Sequence, residues 1–231
     1  MNLRHLLSLT ALVGLCLTSR ADSILLSDDF SGASLDTSKW QTLGPGSVSQ
    51  SGGFVTTQGR GILATQAGFN APYVINGAFT MLDGLEHFNV AFRTDLSTPG
   101  APFYERAGML VSFSNDGNQI SIQRYTSPSD WDLLAVKSYT LTTGLTYFFS
   151  IFDDGTNIDF SVNGVQELSA SSSYSTGDHI ALLSREFGAG SKIDAVTVAR
   201  VPEAGMTGWY AGAVICFLWA VRKNSVSETV P

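Results

Sequence analysis

The sequence predicts an all-β protein whose body is one antiparallel β-sandwich. Its 231 residues include 23 glycines, and 44% of the side chains are hydrophobic while only 14% are charged. A chain of this composition is too apolar to be disordered and too poor in charge to form a coiled coil. Between about residues 23 and 201, short β-type runs alternate with turn signals, and no helical period occurs. One domain over residues 22–200 accounts for this pattern.

Turn signals predict the clearest hairpins. Met109–Phe113 and Ile120–Ile122 flank an Asn-Asp-Gly-Asn turn. Tyr147–Phe152 and Ile158–Val162 flank an Asp-Asp-Gly-Thr turn, and an Asn-Gly pair then leads into Val165–Leu168. The second group of strands is therefore expected to form a three-stranded meander.

The remaining strands follow from the same alternation. In the meander, Ile158, Phe160 and Val162 share one face, which predicts that this face is buried and that the other is wet. Further strands are predicted at Tyr73–Leu82, His87–Thr94, Trp131–Ser138, His179–Arg185 and Lys192–Arg200. Short strands at regular spacing are typical of sandwiches.

Charge and cysteine content narrow the function classes. Residues 22–200 carry 18 Asp or Glu against 9 Lys or Arg. An acidic surface repels phosphate backbones, so nucleic acid is excluded as a partner. Cys16 and Cys216 lie in the apolar terminal runs, so the body has neither a disulfide nor a cysteine-based zinc site.

Residues 1–21 have the pattern of a secretory signal peptide. Arg4 supplies a basic start, residues 6–17 are largely apolar, and Ser19 and Ala21 are small residues before a cleavage site. The alternative is an uncleaved membrane anchor, although a membrane-spanning helix normally needs about 20 apolar residues. Either form places the body outside the cytoplasm.

Residues 205–221 form an uncharged run that predicts a single C-terminal transmembrane helix. Arg222 and Lys223 follow as a membrane stop, which leaves residues 224–231 as a short cytoplasmic tail by the positive-inside rule. The alternative is a buried terminal helix or strand of the domain. The order of apolar run, basic pair and tail favours the membrane helix.

A short motif of Val201, Pro202 and Glu203 precedes this helix. Motif, helix and basic pair together span residues 201–223 and resemble the PEP-CTERM sorting signal of Gram-negative bacteria. The resemblance implies that an exosortase-type protease reads Pro202 and Glu203. It also implies anchoring in the inner membrane first, followed by transfer to the cell surface or extracellular matrix. Ala204 replaces the family's usual second proline, and the tail is longer than usual.

Both ends of the body carry strand motifs. It opens with Leu-Ser-Asp-Asp-Phe-Ser-Gly at 26–32 and Leu-Asp-Thr-Ser-Lys-Trp at 35–40, and it closes with Ile-Ala-Leu-Leu at 180–183 and Ile-Asp-Ala-Val-Thr-Val at 193–198. These segments resemble the concanavalin A-like lectin and glucanase jelly rolls, a superfamily that includes laminin-G-like domains. The resemblance implies that the first and last strands lie together. The fold hosts lectins, adhesion modules and enzymes, so it predicts no single activity.

No catalytic residue is predicted. Glycoside hydrolases of this superfamily carry a Glu-x-Asp-x-(x)-Glu strand, which places an acid and a nucleophile on one face, and no such run occurs here. The run most similar to it contains Asp130 and Asp132. Leu134 occupies the position of its third acid. His87 and His179 lie near no Gly-x-Ser-x-Gly turn. The alternative is an extracellular glycoside hydrolase or lyase of the laminarinase-like superfamily with a non-standard acid pair.

Structural calcium is the one cofactor that the resemblance implies. Laminarinase-type relatives hold such an ion with backbone oxygens and a late aspartate, for which Asp194 is the best match, while Asp29 lies near the start of the body. The alternative is a turn whose aspartates only cap backbone N–H groups.

Polar side chains with a period of two predict a carbohydrate-binding face. Amides and hydroxyls satisfy sugar hydroxyls, and an aromatic ring supplies an apolar platform. The candidates, on three predicted strands, are Gln119, Gln123, Tyr125, Trp131, Asn157 and Asp159. The alternative is a solvated sheet face. The sequence thus predicts a non-catalytic envelope or matrix protein that associates with carbohydrate or exopolysaccharide.

Overall fold

The computed structural model describes residues 23–96, 107–127, 130–184 and 189–201, and every regular element in these ranges is a β-strand. The strands are β1 (Ile24–Asp28), β2 (Trp40–Leu43), β3 (Ser47–Ser51), β4 (Phe54–Gln58), β5 (Ile62–Thr65), β6 (Tyr73–Met81), β7 (His87–Thr94), β8 (Gly108–Ser114), β9 (Gln119–Ser127), β10 (Asp130–Ser138), β11 (Thr146–Asp153), β12 (Asn157–Val162), β13 (Val165–Ser171), β14 (His179–Ser184) and β15 (Ser191–Arg200).

These strands form two antiparallel sheets that pack face to face. The first sheet has the order β13-β12-β11-β6-β15-β4-β3, and β1 also pairs with β15. The second has the order β10-β9-β8-β7-β14-β5-β2. The predicted all-β antiparallel sandwich is confirmed, and both predicted groups, β8–β9 and β11–β12–β13, pair as expected.

The first and last strands lie side by side, as the resemblance implied. Leu26 of β1 is opposite Val198 of β15. β4 pairs with the first residues of β15 along the same edge. The register of β15 against β6 shifts between Ile193 and Ala195, so Asp194 lies in a bulge where β15 changes from one partner to the other.

The opening motif folds into a turn ordered by Asp28. One carboxylate oxygen accepts the backbone N–H of Phe30 at 2.9 Å, and the other accepts the indole N–H of Trp40 at 2.8 Å. Trp40 is fully buried, and its ring lies 5.7 Å from that of Phe30. A buried indole N–H needs such a partner, because an unsatisfied donor costs about 1–3 kcal/mol. This requirement explains the combination of aspartate and aromatic residues in the motif.

Phenylalanines from the two sheets meet at the centre of the core. The rings of Phe79 on β6 and Phe88 on β7 stack with centroids 4.1 Å apart. Phe113 on β8 meets Phe160 on β12 edge to face at 5.2 Å. Such pairs contribute about 0.5–1.5 kcal/mol beyond the burial of their area. Phe160 is fully buried, which confirms the predicted inward face of β12.

One buried ion pair joins the two sheets near one end of the sandwich. Arg93 on β7 has a φ of 52°, next to a shift in the register of β7 against β14. Its Nε donates to Asp153 Oδ2 at 2.8 Å, and its Nη2 donates to Oδ1 of the same carboxylate on β11. The side chains are 6% and 0% exposed, respectively. The pair therefore ties the second sheet to the first across a desolvated space.

The same guanidinium orders the loop between β13 and β14. Its Nη1 donates to the carbonyl oxygens of Ser172 at 2.5 Å and Tyr174 at 3.4 Å. Burial works to lower the pKa of Arg93, but the hydrogen bond and charge of Asp153 outweigh it, and that pKa is raised. Arg93 therefore stays charged and holds three segments of the chain together.

The predicted targeting segments lie outside the described residues. These segments include the signal peptide, the membrane helix and the residues Pro202, Glu203, Arg222 and Lys223. Within the ranges that the structure describes, no helix is long and apolar enough to cross a membrane. Val201 is described, and its backbone N–H donates to the carbonyl of Pro72 at 3.2 Å.

Removal of the Arg93 guanidinium is expected to destabilise the fold strongly, because it leaves the Asp153 carboxylate buried without its partner. For Arg93→Met we expect the free energy of unfolding in urea to fall by about 3–5 kcal/mol. The double variant Arg93→Met/Asp153→Asn should recover part of this loss. The matched control is Lys137→Met, which removes an ion pair whose lysine is 52% and whose glutamate, Glu167, is 10% exposed; it should cost less than Arg93→Met, because the carboxylate left unpaired still contacts water. Equal losses in Arg93→Met and Lys137→Met would contradict the role given to the buried pair.

Candidate functional site

The best-formed group of predicted binding residues lies on the outer face of the second sheet. Ile120 and Ile122 of β9 point into the core, so Gln119, Gln123 and Tyr125 point outward by alternation. The structure thus confirms that these three residues share one side of one strand. We call the outward side of β9 and its neighbour β10 the β9–β10 face.

Two stacked aromatic rings form one end of this face. Tyr125 and Trp131 are directly opposite each other in the β9–β10 pairing, and their rings stack with centroids 6.1 Å apart and an angle of 18°. Trp131 is 50% exposed, and Leu133 and Val136 on the same edge strand are also exposed. Exposed apolar side chains clustered beside polar ones mark interaction surfaces. Tyr125 supports the indole from one side and leaves its outer part open to solvent.

A row of polar side chains continues the face across the sheet. Ser121 on β9 is opposite Ser112 on β8, which is opposite Asn89 on β7. All three are buried, and Gln123 Nε2 donates to Ser121 Oγ at 2.7 Å. Ser112 and Asn89 were not among the candidates predicted from the sequence. They could have been found, because each alternates with inward Phe or Val residues and so occupies an outward position in a hydrophobic strand.

A serine, a histidine and an aspartate meet where this row approaches the β8–β9 turn. His87 Nε2 lies 2.5 Å from Asp116 Oδ1 and 3.3 Å from Ser114 Oγ, and Ser114 Oγ donates to Asp116 at 2.8 Å. A catalytic triad needs the carboxylate at Nδ1 and the nucleophile at Nε2 of the ring. Here both groups contact the same nitrogen. The cluster closes the turn, and its geometry does not fit nucleophilic catalysis.

Asn157 and Asp159 do not join this site, because β12 belongs to the other sheet. Asp159 accepts hydrogen bonds from Gln166 at 3.0 Å and from Ser169 at 2.6 Å. Asn157 bonds to Asp154 and accepts from Ser171 in the same way. The two residues line an open depression of about 520 Å³ whose polar groups already satisfy one another. The six candidates therefore divide into one group of four and a separate pair.

Asp130 and Asp132, the nearest imitation of the glycosidase acids, are each engaged in local contacts. Asp130 accepts a hydrogen bond from the hydroxyl of Thr126, and Asp132 accepts from Arg124 Nε at 2.9 Å. The outward positions on the described parts of β7–β10 carry amides, hydroxyls, an imidazole, apolar groups and a single carboxylate, that of Asp130 opposite Ser127. Glycoside hydrolysis needs two carboxyl groups that flank the bond. The β9–β10 face offers binding groups without that pair.

The two calcium candidates lie on the paired first and last strands: Asp29 directly follows β1, and Asp194 lies in the bulge of β15. Asp29 accepts the N–H and hydroxyl of Ser31, and these hydrogen bonds lower its pKa. Burial raises the pKa of Asp194, an effect that Lys192 partly offsets. The carbonyl oxygens of Phe30 and Gly32 in the same turn accept from Gln50 Nε2 at 3.1 and 2.6 Å.

Among the described residues, no three His, Cys, Asp or Glu side chains are close enough to hold a metal together. Calcium prefers six to eight oxygen ligands. Side chains alone therefore do not form a cage here, and the carbonyls of Phe30 and Gly32 in the opening turn already accept from the uncharged Gln50 amide. The fit to a structural calcium ion is poor unless Gln50 moves.

Comparison with known proteins identifies the fold of this chain but assigns it to no family. No protein-family model matches the sequence, and no curated protein matches it. A carbohydrate-binding module, CBM66 from Bacillus subtilis, is similar in structure with a TM-score of 0.53 and 14% identity, over 71% of this chain and 92% of that chain. The exoplasmic/lumenal domain of VIP36 in its Ca²⁺/Man-bound form gives a TM-score of 0.63 and 12% identity, over 81% and 96%.

A glucanase shares the architecture as well. The β-glucanase of Bacillus licheniformis is similar with a TM-score of 0.58 and 9% identity, over 79% of this chain and 100% of that chain. Identities this low show the fold alone. The body of the chain is an antiparallel jelly-roll β-sandwich, the fold that it shares with these proteins.

Proposed function

We propose that this protein is an exported, non-catalytic carbohydrate-binding protein of the bacterial envelope or matrix, and that the β9–β10 face is its binding surface. The observation that carries the proposal is the exposed Trp131 ring, stacked on Tyr125 and flanked by Gln119 and Gln123. Solved structures of the same fold include a carbohydrate-binding module, which supports this class of ligand.

The chemistry of the face matches that of a sugar ring. A pyranose has an apolar C–H face and a rim of hydroxyls, so it packs on an aromatic ring and bonds to polar groups at its edge. Trp131 offers half of its surface for the apolar contact. Gln123 and Gln119 are half-buried on the same side of β9, where their amides both donate and accept. Ser121, Ser112 and Asn89 continue the polar row across the sheet but are buried, and Ser121 positions the Gln123 amide by accepting its N–H.

The second candidate function is glycan cleavage, because glucanases share the fold. The described part of the β9–β10 face supplies no carboxylate pair for it. Asp132 faces the opposite side of β10 and is bonded to Arg124. Binding without cleavage is therefore the better account of the groups present.

Export and sorting complete the proposal. The signal peptide carries the chain through the inner membrane, and the segment 201–223 is then read by an exosortase-type protease. Val201, the first residue of the motif, donates its backbone N–H to the carbonyl of Pro72. A proline cannot donate to a strand ladder, which suits Pro202 to an extended segment that a protease can bind.

Substitution of Trp131 tests the binding surface. For Trp131→Ala we expect retention on a glycan array to fall at least tenfold, because the apolar platform is removed. Val165→Ala is the matched control, since Val165 is 59% exposed on the edge of the other sheet and should leave binding unchanged. Unchanged retention of Trp131→Ala on every glycan that binds the wild type would contradict the assignment.

The sorting motif is tested by changing Pro202 and Glu203 together to alanine in the full chain. We expect export to continue while the uncleaved form accumulates in the inner membrane, because the protease loses its recognition motif. Deletion of Gly205–Pro231 should instead release the domain from the membrane. Cell fractionation in hosts with and without an exosortase provides the measurement. If wild type and double variant fractionate identically in both hosts, the sorting proposal is wrong, and the C-terminal segment acts only as a membrane anchor.

Asp194 yields a pH prediction. Burial raises its pKa, so the folded state holds the proton more tightly than the unfolded state, whose carboxyl titrates near about 3.9. Below the pKa that Asp194 has in the unfolded chain, the carboxyl is neutral in both states, and its burial carries no charge penalty. As the pH rises through the raised pKa of the folded state, the protein loses stability, because it must then bury a charged carboxylate. Asp194→Asn is therefore expected to unfold at higher urea than wild type at pH 7, and the difference should shrink below about pH 4.

The measurement is made in EDTA, with Asp29→Asn as the control. The pKa of Asp29 is lowered, so its neutralisation should destabilise the protein at pH 7. A loss of stability at pH 7 in Asp194→Asn would contradict the burial argument. In calcium chloride, a rise in Tm confined to proteins that keep Asp194 would identify this carboxylate as a calcium ligand.

A further inference from the structure

A groove lies on the opposite side of the β9–β10 hairpin from Trp131. It has a volume of about 610 Å³ and is lined by Arg124, Thr156 and the loop residues Ser171–Ser175. Arg124 is opposite Asp132 in the same pairing that places Tyr125 opposite Trp131. Since successive residues of a strand point to opposite faces, the Arg124–Asp132 pair and the aromatic pair face away from each other.

The wall of this groove is fixed before any ligand arrives. Ser172 and Tyr174 are held through their carbonyl oxygens by Arg93, itself locked in the buried ion pair. The N–H of Thr176 donates to the carbonyl of Arg93 at 3.2 Å, and the N–H of Tyr174 donates to Ser172 Oγ at 3.2 Å. A preorganised wall lowers the entropic cost of binding.

Arg124 presents unused hydrogen-bonding capacity to the groove. Its Nε and Nη2 both donate to Asp132 Oδ2. Among the described residues, no group bonds to its Nη1 or to Asp132 Oδ1. A guanidinium has five donors, so the pair still offers donors on one atom and an acceptor on another. The guanidinium carbon also lies 5.9 Å from the centroid of the Tyr174 ring, which supplies an apolar surface at the same place.

These groups select a neutral saccharide over an anionic one. Asp132 balances the charge of Arg124, and residues 22–200 carry twice as many acidic as basic side chains, so an added anion gains little attraction. Two neighbouring hydroxyls of a neutral sugar can meet the pair together, one donating to Asp132 Oδ1 and the other accepting from Arg124 Nη1. The hydroxyls of Ser171–Ser173 and Ser175 line the same groove, where they can meet the rest of a sugar ring.

We propose that the Arg124 groove is a second saccharide-binding site and that one copy of the protein links two neutral polysaccharide chains. The inference rests on the proposed function, because the β9–β10 face is the other site. The two sites lie back to back on one hairpin, so a straight chain on one does not reach the other. A single domain thereby becomes a bridge within a matrix.

The full chain in detergent is titrated calorimetrically with cellohexaose, laminarihexaose and mannohexaose, with the hexamer of galacturonic acid as the charged probe. Wild type is expected to bind two molecules of at least one neutral hexasaccharide. Arg124→Met and Trp131→Ala should each retain one, and the double variant should retain none. Lys137→Met, which breaks an ion pair on the same strand but away from the groove, is the control and should bind two. Unchanged thermal unfolding of each variant shows that the fold is intact.

The outcomes separate the two proposals. If Trp131→Ala loses one site and Arg124→Met is unchanged, the proposal that the Arg124 groove binds saccharide is wrong, and the proposed function is retained. Loss in Arg124→Met with no change in Trp131→Ala overturns the proposed function while it supports the groove. Absence of binding to every neutral probe overturns both. Tighter binding of the galacturonic acid hexamer that depends on Arg124 overturns the neutral ligand class. Wild type, but neither single-site variant, should also increase the viscosity of a solution of the matching polysaccharide.

Discussion

The buried pair of Arg93 and Asp153 is the contact on which the arrangement of this end of the molecule depends. An ion pair removed from water has a large desolvation cost, and it is stable only when nearly every donor has a partner. Arg93 meets this demand with the Asp153 carboxylate and two loop carbonyls. The result is a fixed distance between the two sheets and a fixed path for the loop from β13 to β14. Packing of the phenylalanine core sets the thickness of the sandwich, whereas this pair sets how its end is shaped.

The β9–β10 hairpin gains its two different faces from pleating and from a bulge. Simple alternation from Trp131 would place Leu133 and Ala135 outward and Val136 inward. The register instead shifts between Leu133 and Ala135, so Val136 comes opposite the outward Ser121. One extra residue therefore moves a large side chain to the exposed side, where it lies with Trp131 and Leu133. The polar pair of Arg124 and Asp132 is left on the other side.

Much of the fold could be predicted because residues close together in the sequence determine where each strand begins, ends and turns. Turn signals and a period of two located β7, β11 and β12 with few errors at their ends, and β9 revealed its outward residues by alternation. The partners across the sandwich could not be predicted, because nothing local links Arg93 to a carboxylate 60 positions away. For the same reason Asn157 and Asp159 looked like companions of Gln123, although the strand order puts them on the other sheet. The export and sorting segments remain predictions.

The way β15 is embedded has a mechanical consequence. This strand pairs with β6 along one edge and with β4 and β1 along the other, and Val201, which follows it directly, donates its N–H to the carbonyl of Pro72. A pull on the chain beyond this residue, directed along the strand, would load the hydrogen bonds of both edges at once and in shear. Many bonds that share a force resist it far better than bonds that open one at a time. Tension applied to the chain at Val201 would therefore do little to peel the sandwich apart.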